Sequence, residues 1–485
     1  MSLGGPTGGR TLRSRVLQNS AALLGGRGIA IVVSAGATVL LARYLGSEQL
    51  GEYAALYAYV SLFGWLATFG LESILVREAS RERGLAGSIL LTGVVLCAAL
   101  SIATTLLALA VAPFVGYRGP LHHLLLFAAI EILLLTPLRL PGLVFQVDLR
   151  QWYGTAINVF RQILWFGVVA LLALAHAPLL YVFVGRLACA FVEATMISIA
   201  SRRFLTTSWH FLPGRAKAFL RSSFPIAFST LLGSIYMRID QVMLHNLATD
   251  QILGQYVAAV KVSELFEMLP AALISSLFPI LALAADRQPQ FQSYVGRSFR
   301  YLIILASGLC VFIALGAKAI VALLYGRQFH SAAPLLAVLI WSEVAVFFGT
   351  VVVNVLIASN LQRYLLLPTA GGAIANILLN FVLIPRFGAG GAAWATLISY
   401  SLAWGVTLLP FVRTRALIWQ GLRLAAPACA LALVAVGAAS ILPAPDLIRV
   451  AAGMCLYGIG IWATRIISRD DFAYAWTALV GSLPR

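Results

Sequence analysis

Long, uninterrupted apolar stretches make up most of the chain and are separated by short polar segments. About fourteen stretches of roughly 20 apolar residues can be counted, from 17–41 near the start to 447–467 near the end. The strands of a membrane barrel would alternate in polarity over about ten residues, so runs of this length predict helices. The stretches at 152–175 and 253–283 are the most polar of the set. The pattern therefore predicts an all-α, polytopic membrane protein with about 14 transmembrane helices.

Composition excludes the other broad classes of protein. Of the 485 residues, 61% are hydrophobic and 11% are charged, which leaves too little polar surface for a soluble domain and excludes disorder. A net charge of +17 would suggest nucleic acid in a soluble protein. Here the basic residues lie in short connections without a nucleic-acid module, so we interpret them as topology signals that also attract anionic lipids. No disulfide framework is expected from five cysteines scattered through apolar runs.

The distribution of Lys and Arg predicts the orientation. With the N-terminus placed inside, most basic residues of the connections fall on the cytoplasmic side, and few fall on the other side: Arg43, Arg118, Arg327, Arg386 and Arg449. Both termini are then expected to be cytoplasmic. No outer connection exceeds about a dozen residues, which leaves no room for an extracytoplasmic domain.

An internal repeat divides the chain. Residues 50–63 read LGEYAALYAYVSLF and residues 253–266 read LGQYVAAVKVSELF, with leucine, glycine, tyrosine, alanine and phenylalanine coinciding at one constant offset. Each copy follows an odd-numbered span and opens the next one, which predicts two parallel repeats related by an axis along the membrane normal. Transporters built from such halves usually place the substrate site where the halves meet.

Charged residues within the apolar stretches are candidates for function, because a charge at bilayer depth is costly unless it is paired or hydrated. Arg27 lies in the first span among three glycines and shares a helical face with Ser34. It either faces a cavity or pairs with Glu72 or a carbonyl group. In the fifth span, Arg161 lies about nine residues from the predicted inner end, well below the lipid headgroups.

The sixth span carries Arg186 and Glu193 seven residues apart on one face, too distant for direct pairing but suited to a shared cavity. Arg139, between two prolines near the inner surface, is expected to extend its side chain to the headgroups. Other intramembrane carboxylates, including Glu131 and Glu343, have no predicted role.

The seventh and eighth spans carry the remaining candidates. Arg238 belongs to a polar stripe on the seventh span, and Asp240 points nearly opposite to it, so Asp240 needs another partner. In the eighth span, Lys261 and Glu264 are spaced for an intrahelical ion pair. That pair is either structural or part of a proton- or ion-coupling site.

Signals for enzyme chemistry are missing from the sequence. It has no phosphate-binding Walker loop, no zinc-ligand spacing and no serine elbow. We therefore predict a transporter with no cofactor rather than an enzyme.

Several segments resemble one family. ARYLGSEQLGEYAAL (42–56) followed by FGLESILVREASR (69–81) resembles the N-terminal signature of bacterial polysaccharide and O-antigen flippases. These form the polysaccharide-transporter branch of the multidrug/oligosaccharidyl-lipid/polysaccharide exporter superfamily. MRIDQVML (237–244) and IPRFGAGGAAWATLISY (384–400) are similar to segments of the family's second half.

The resemblance implies two six-helix bundles around a central cavity, 1–207 and 208–415, followed by two further transmembrane helices and a cytoplasmic tail in 416–485. It also implies alternating access and a lipid-linked oligosaccharide substrate, usually on undecaprenyl diphosphate, in the inner membrane of a bacterium. We expect a monomer. A lipid II flippase and a multidrug cation exporter share the fold, and a membrane glycosyltransferase or polymerase is the enzyme alternative.

The candidate site follows from the chemistry of that substrate. A diphosphate is a dianion that needs arginine or lysine in a hydrated cleft. The candidates for a cationic cavity are Arg27, Arg161, Arg186, Arg238 and Lys261. Asp240 and Glu264 are the candidates for coupling transport to H⁺ or Na⁺.

Overall fold

The computed structural model describes residues 6–205, 209–284 and 288–466, and within these ranges it contains helices, turns and no strand. The helices of the first half are α1 Pro6–Thr68, α2 Leu71–Arg81, α3 Ala86–Val111, α4 Pro120–Ala129, α5 Thr136–Arg139, α6 Val144–Val147, α7 Trp152–Leu174, α8 Leu179–Arg202 and α9 Pro213–Leu247. Those of the second half are α10 Asp250–Glu264, α11 Met268–Ala284, α12 Gln288–Tyr325, α13 Ala332–Leu339, α14 Ser342–Ala358, α15 Leu366–Gly405, α16 Val412–Ile441 and α17 Asp446–Ala463. The all-α prediction is confirmed.

The helices are those of a multi-span membrane protein. Among the described residues, 11 helical segments are long and apolar enough to cross a bilayer. Two of them, Gly25–Arg81 with 57 residues and Gln362–Gly405 with 44, are about twice the length of one crossing. Conversely, α10 and α11 have 15 and 17 residues, fewer than the roughly 20 of a typical crossing. The number of fourteen crossings stays a prediction.

The chain divides into two compact units, Met1–Asn246 and Leu247–Arg485. The first unit therefore includes nearly all of α9. The boundary predicted between residues 207 and 208 lies outside the described residues, as does most of the predicted cytoplasmic tail, so the three predicted domains stay a prediction.

Close packing of α1 on α7 forms one wall of the first unit. A Cβ atom at Gly26 would lie 2.4 Å from the Thr155 side chain, and one at Gly36 would lie 3.3 Å from Phe166. Because both residue numbers increase together, the two helices run parallel. In the second unit the buried core is formed by aromatic and branched side chains, among them Phe299 and Phe347.

The two longest helices, α1 and α15, each turn at one glycine with a backbone conformation that other residues rarely adopt. Gly46 has φ 71° and ψ 179°, and Gly388 has φ 56° and ψ −133°. These angles lie in or near a region that essentially only glycine occupies. Gly46 stands four residues before Leu50, the first residue of the repeat, so this turn sets where the second helical part of α1 begins.

Replacing Gly46 by alanine is expected to lower the free energy of unfolding by about 1–3 kcal/mol, because alanine cannot adopt this backbone without strain. Chemical unfolding in detergent micelles measures the change. Gly64→Ala is the matched control: Gly64 is helical and a Cβ atom there meets nothing within 4 Å. The control is expected to be neutral or stabilising by up to about 1 kcal/mol. Equal destabilisation by both substitutions would contradict this account.

The start of α9 is attached to the connection between α2 and α3. Arg215 donates two hydrogen bonds to Glu82, with Nη1–Oε1 and Nη2–Oε2 distances of 2.8 and 2.9 Å. The backbone N–H of Leu212 donates to Thr92 Oγ1 at 3.0 Å. These hydrogen bonds from Arg215 hold the pKa of Glu82 below its ordinary value.

Because the pKa of Glu82 is lowered in the folded protein, the ion pair contributes its full stability above the ordinary glutamate pKa and loses it as the pH falls through the lowered value. We expect amide hydrogen exchange in the first turns of α9 to accelerate relative to the rest of the chain in that acidic range. In Glu82→Gln, exchange there should be faster at neutral pH and should lose this pH dependence. An unchanged exchange rate in the variant would show that the pair does not hold α9.

Candidate functional site

Two buried carboxylates lie in the interior of the first unit. Glu131 is 5% exposed and lies in a π-helical turn, Ile130–Leu134, that interrupts the fourth apolar stretch. Glu193 is 9% exposed and lies on α8. Buried carboxylates require a cation or several donors, and each of these two has at least one arginine.

Glu131 is bound by Arg186 of α8. Arg186 Nε lies 3.0 and 3.1 Å from the two carboxylate oxygens of Glu131, and Tyr57 donates its hydroxyl hydrogen to the same carboxylate. The Arg186 guanidinium also donates to the Tyr53 hydroxyl and lies over the Tyr57 ring, 4.1 Å from its centroid. Carboxylate, hydroxyl and ring face together hold this arginine in one position.

Glu193 is shared by two arginines. Arg161 Nε lies 3.1 Å from Oε1, and Arg139 Nη2 lies 3.2 Å from Oε2. Arg161 Nε has no hydrogen bond of good geometry within the described part of the chain, so its contact with Glu193 is an ion pair only. The expectation that Arg139 reaches the headgroups was wrong: α5 packs on α8, which brings Glu193 within reach of this arginine.

The two groups form one charged region with an excess positive charge. Arg161 is near enough to Tyr53 for an electrostatic interaction, which connects the Glu193 group to the Glu131 group. Three arginines, at 139, 161 and 186, face two glutamates, at 131 and 193, so 3 − 2 leaves a formal charge of +1. An uncompensated positive charge within apolar helices is an arrangement that attracts an anion.

Arg27 lies beside this region on α1. Its side chain is exposed, and it makes no ion pair or hydrogen bond with another described residue, so the predicted partner Glu72 does not bind it. Because α1 and α7 are parallel and Gly26 packs on Thr155, Arg161 lies about five residues further along the pair. At 1.5 Å per residue this separates Arg27 from Arg161 by roughly 8 Å along the axis.

The other predicted residues lie on α9 and α10. In the first unit, Arg238 is half-buried, whereas Asp240 is 6% exposed and accepts the backbone N–H of Gln241 at 2.8 Å. In the second unit, Lys261 Nζ lies 2.6 Å from Glu264 Oε2, which confirms the intrahelical pair. The described residues thus bring two of the predicted cations, Arg161 and Arg186, into one network.

Sequence reasoning missed the aromatic part of the site. Tyr53 and Tyr57 are four residues apart on one face, with ring centroids 4.7 Å apart, and both reach the Glu131–Arg186 pair. The signal in the sequence was their i,i+4 spacing inside the repeated segment. Among the described residues, no group of three His, Cys, Asp or Glu side chains could hold a metal ion.

A separate apolar cavity of about 500 Å³ lies in the second unit. Its walls include Trp341, Trp394 and Trp404, and no charged side chain lines it. The cavity therefore suits an apolar chain and is unsuited to a charged headgroup.

These features define a multi-span α-helical membrane protein with a buried cationic site. A family model described as "Polysaccharide biosynthesis protein" matches residues 40–334, which is more than half of the chain. The chain belongs to this polysaccharide biosynthesis family, and the predicted family resemblance is confirmed.

Relatives and solved structures agree with this assignment. The chain is 23% identical over 376 residues to the probable low-salt glycan biosynthesis flippase Agl15 of Haloferax volcanii, covering 74% of this chain and 76% of the relative. It is 30% identical over 173 residues to the probable flippase AglR of the same organism, covering 34% of this chain and 36% of the relative. These relatives carry the names of flippases, not of enzymes.

Two solved structures show the same fold at low sequence identity. The lipid II flippase MurJ, in an inward closed conformation, matches with a TM-score of 0.71 at 15% identity over 92% of this chain and 98% of that chain. An inward-facing multidrug resistance MATE transporter of the MOP superfamily matches with a TM-score of 0.63 at 15% identity, over 83% and 98%.

Removing Glu131 should leave a cation buried without its partner. Glu131→Gln is expected to lower the free energy of unfolding by about 3 kcal/mol, which is typical for breaking a buried pair. The double variant Glu131→Gln, Arg186→Gln should recover part of this loss, because neither member of this pair is then left without its counter-charge. Thermal unfolding of the purified variants in detergent checks both results.

The matched control is Glu78→Gln, which removes the partner of the exposed Arg77. Exposed pairs contribute less than about 1 kcal/mol, so this control should change little. If the double variant lost as much stability as the single variants Glu131→Gln and Arg186→Gln lose together, Glu131 and Arg186 would not be coupled.

Proposed function

We propose that the protein is a flippase that moves a lipid-linked oligosaccharide across the membrane for cell-surface polysaccharide synthesis. The observation that carries this proposal is the excess positive charge of the Arg139, Arg161 and Arg186 region within apolar helices. Membership of the polysaccharide biosynthesis family and the names of the two relatives support the substrate class. An anionic headgroup would supply the charge that this region lacks.

The substrate headgroup we propose is a diphosphate, with undecaprenyl as its lipid. Arg161 is the best-placed ligand, because it shares its carboxylate with a second arginine and is 20% exposed. Arg27 is the second proposed ligand of the diphosphate. It is exposed, has no partner among the described residues, and lies on α1, which packs on the helix of Arg161. Arg186 positions the region through Glu131 and the tyrosines, while Arg238 and Lys261 complete the cationic set.

The remaining elements of the proposal concern the transport cycle. Two bundles, 1–207 and 208–415, work by alternating access, and the helices of 416–485 are additional to them. Asp240 and Glu264 take part in coupling transport to H⁺ or Na⁺. The protein acts as a monomer in a bacterial inner membrane, with both termini in the cytoplasm, as the distribution of Lys and Arg supports.

Arg161→Gln is expected to reduce flipping at least tenfold, because it removes the positive charge that attracts the diphosphate. Arg27→Gln should act in the same direction, and Arg161→Lys should retain part of the activity, since lysine keeps the charge without the planar fork. The assay reconstitutes the protein in vesicles loaded with undecaprenyl-diphosphate oligosaccharide and follows its exposure to an added lectin.

Arg77→Gln is the matched control, because Arg77 is an exposed arginine whose partner is the neighbouring Glu78. It should flip at the wild-type rate. Wild-type flipping by a folded Arg27→Gln, Arg161→Gln double variant would refute the proposed binding site. If the wild-type protein failed to move the glycolipid but exported cationic dyes, the proposed function itself would be wrong.

A further inference from the structure

Glu343 is a buried carboxylate that none of the roles above uses. It lies in the first turn of α14, just after the turn that separates α13 from α14, and is 2% exposed. Its Oε1 accepts a hydrogen bond from Ser263 Oγ at 2.9 Å. Its Oε2 is buried and has no hydrogen-bond partner within the described part of the chain. An ionised carboxylate in this setting would carry a large desolvation cost.

The internal repeat gives Glu343 a counterpart in the first half. Glu131 and Glu343 each lie where the fourth apolar stretch of its half is interrupted, at the π turn after α4 and at the α13–α14 junction. The repeat also aligns Tyr53 with Tyr256 at one offset. The two halves can therefore be compared span by span.

The comparison shows one chemical difference. In the first half, the Tyr53 hydroxyl contacts Arg186 of α8, and Arg186 neutralises Glu131. In the second half, the Tyr256 hydroxyl lies 3.1 Å from the Thr396 hydroxyl of α15. A neutral threonine thus stands where the first half has its arginine, and Glu343 has no ion pair with a described residue.

The charged and titratable groups around Glu343 do not replace that arginine. On α10 and the turn after it, Glu264 and Glu267 are near enough to repel a negative charge on Glu343. Lys261 is held by Glu264 at 2.6 Å. On α12, the Cys310 thiol interacts with Glu343 and donates to the Ile340 carbonyl at 3.2 Å. The packed helix α11 contains no charged residue. The basic residues of the other packed helices make no ion pair with Glu343: Arg297, Arg300 and Lys318 on α12, Arg386 on α15, and Arg413, Arg415 and Arg423 on α16.

We propose that Glu343 is a proton-binding site, neutral when buried as described here and able to release its proton when the α13–α14 junction opens to water. On release, the O–H bond of the carboxyl group breaks and the proton passes to water, leaving a carboxylate. This site suits a metal cation less well than a proton. Hard metal cations take about six or more oxygen ligands, and the only hydrogen-bond partner of the Glu343 carboxyl group among the described residues is one hydroxyl group. A role of Glu343 in coupling rests on the proposed flippase function. Proton binding by Glu343 does not depend on that function.

Infrared difference spectroscopy of protein labelled with ¹³C at the glutamate carboxyl groups tests proton binding without any transport. At neutral pH, a protonated carboxyl band is expected in the wild type. The band should persist in Glu131→Gln and be lost in Glu343→Gln. A spectrum that Glu343→Gln leaves unchanged would overturn the proposal.

Stability provides a second measurement that does not depend on the spectrum. If Glu343 is neutral, glutamine reproduces its shape and its acceptor for Ser263, so Glu343→Gln should unfold at the wild-type temperature at neutral pH. Glu131→Gln, the matched control from the other half, should unfold at a lower temperature. If Glu343→Gln lowered the unfolding temperature as much as the control does, Glu343 would be ionised and the proposal would be overturned.

The vesicle assay with an imposed pH gradient tests coupling. Flipping by Glu343→Gln should lose its dependence on the gradient, whereas Glu343→Asp should keep it in part. Gradient-dependent flipping in Glu343→Gln at the wild-type level would refute the coupling role. If wild-type vesicles moved no glycolipid while the infrared band behaved as expected, the flippase proposal would fail and the proton site would stand.

Discussion

The free-energy cost of an ionised side chain within apolar helices is the constraint on which the interior of this protein depends. In the first unit, the cost is met by placing arginines against the two buried glutamates and by adding tyrosine hydroxyls and ring faces around one of them. If every arginine in this region had its own carboxylate, the region would carry no net charge and would not attract an anion. The third arginine prevents this, because Glu193 cannot neutralise both Arg139 and Arg161.

The two halves surround their buried glutamate with different groups. Both bury a glutamate at an interruption of the corresponding apolar stretch, and both bury the repeated tyrosine. In the first half the repeated tyrosine contacts Arg186, which pairs with Glu131, whereas in the second half it contacts a neutral threonine and Glu343 makes no ion pair with a described residue. The two halves therefore differ in the charge that surrounds their buried glutamate.

Much of the fold could be predicted from the sequence, because long apolar runs and positive connections are local signals. The Lys261–Glu264 pair was predictable for the same reason, since both residues lie on one turn of one helix. The partners of Arg161 and Arg186 were not, because Glu193 and Glu131 come from other helices and only packing brings them near. Arg139 shows most clearly what the sequence could not predict. Its position near the predicted membrane surface favoured a contact with lipid headgroups, yet the packing of α5 on α8 places it beside the Glu193 carboxylate.

The two buried glutamates, Glu131 and Glu343, both lie where a helix is interrupted. At a continuous α-helical turn, backbone hydrogen bonds fix the direction of each side chain. In the π turn, the N–H of Leu135 bonds to the carbonyl of Ile130 instead, which widens the turn around Glu131. The widened turn therefore holds Glu131 where its carboxylate meets both Arg186 of α8 and Tyr57 of α1.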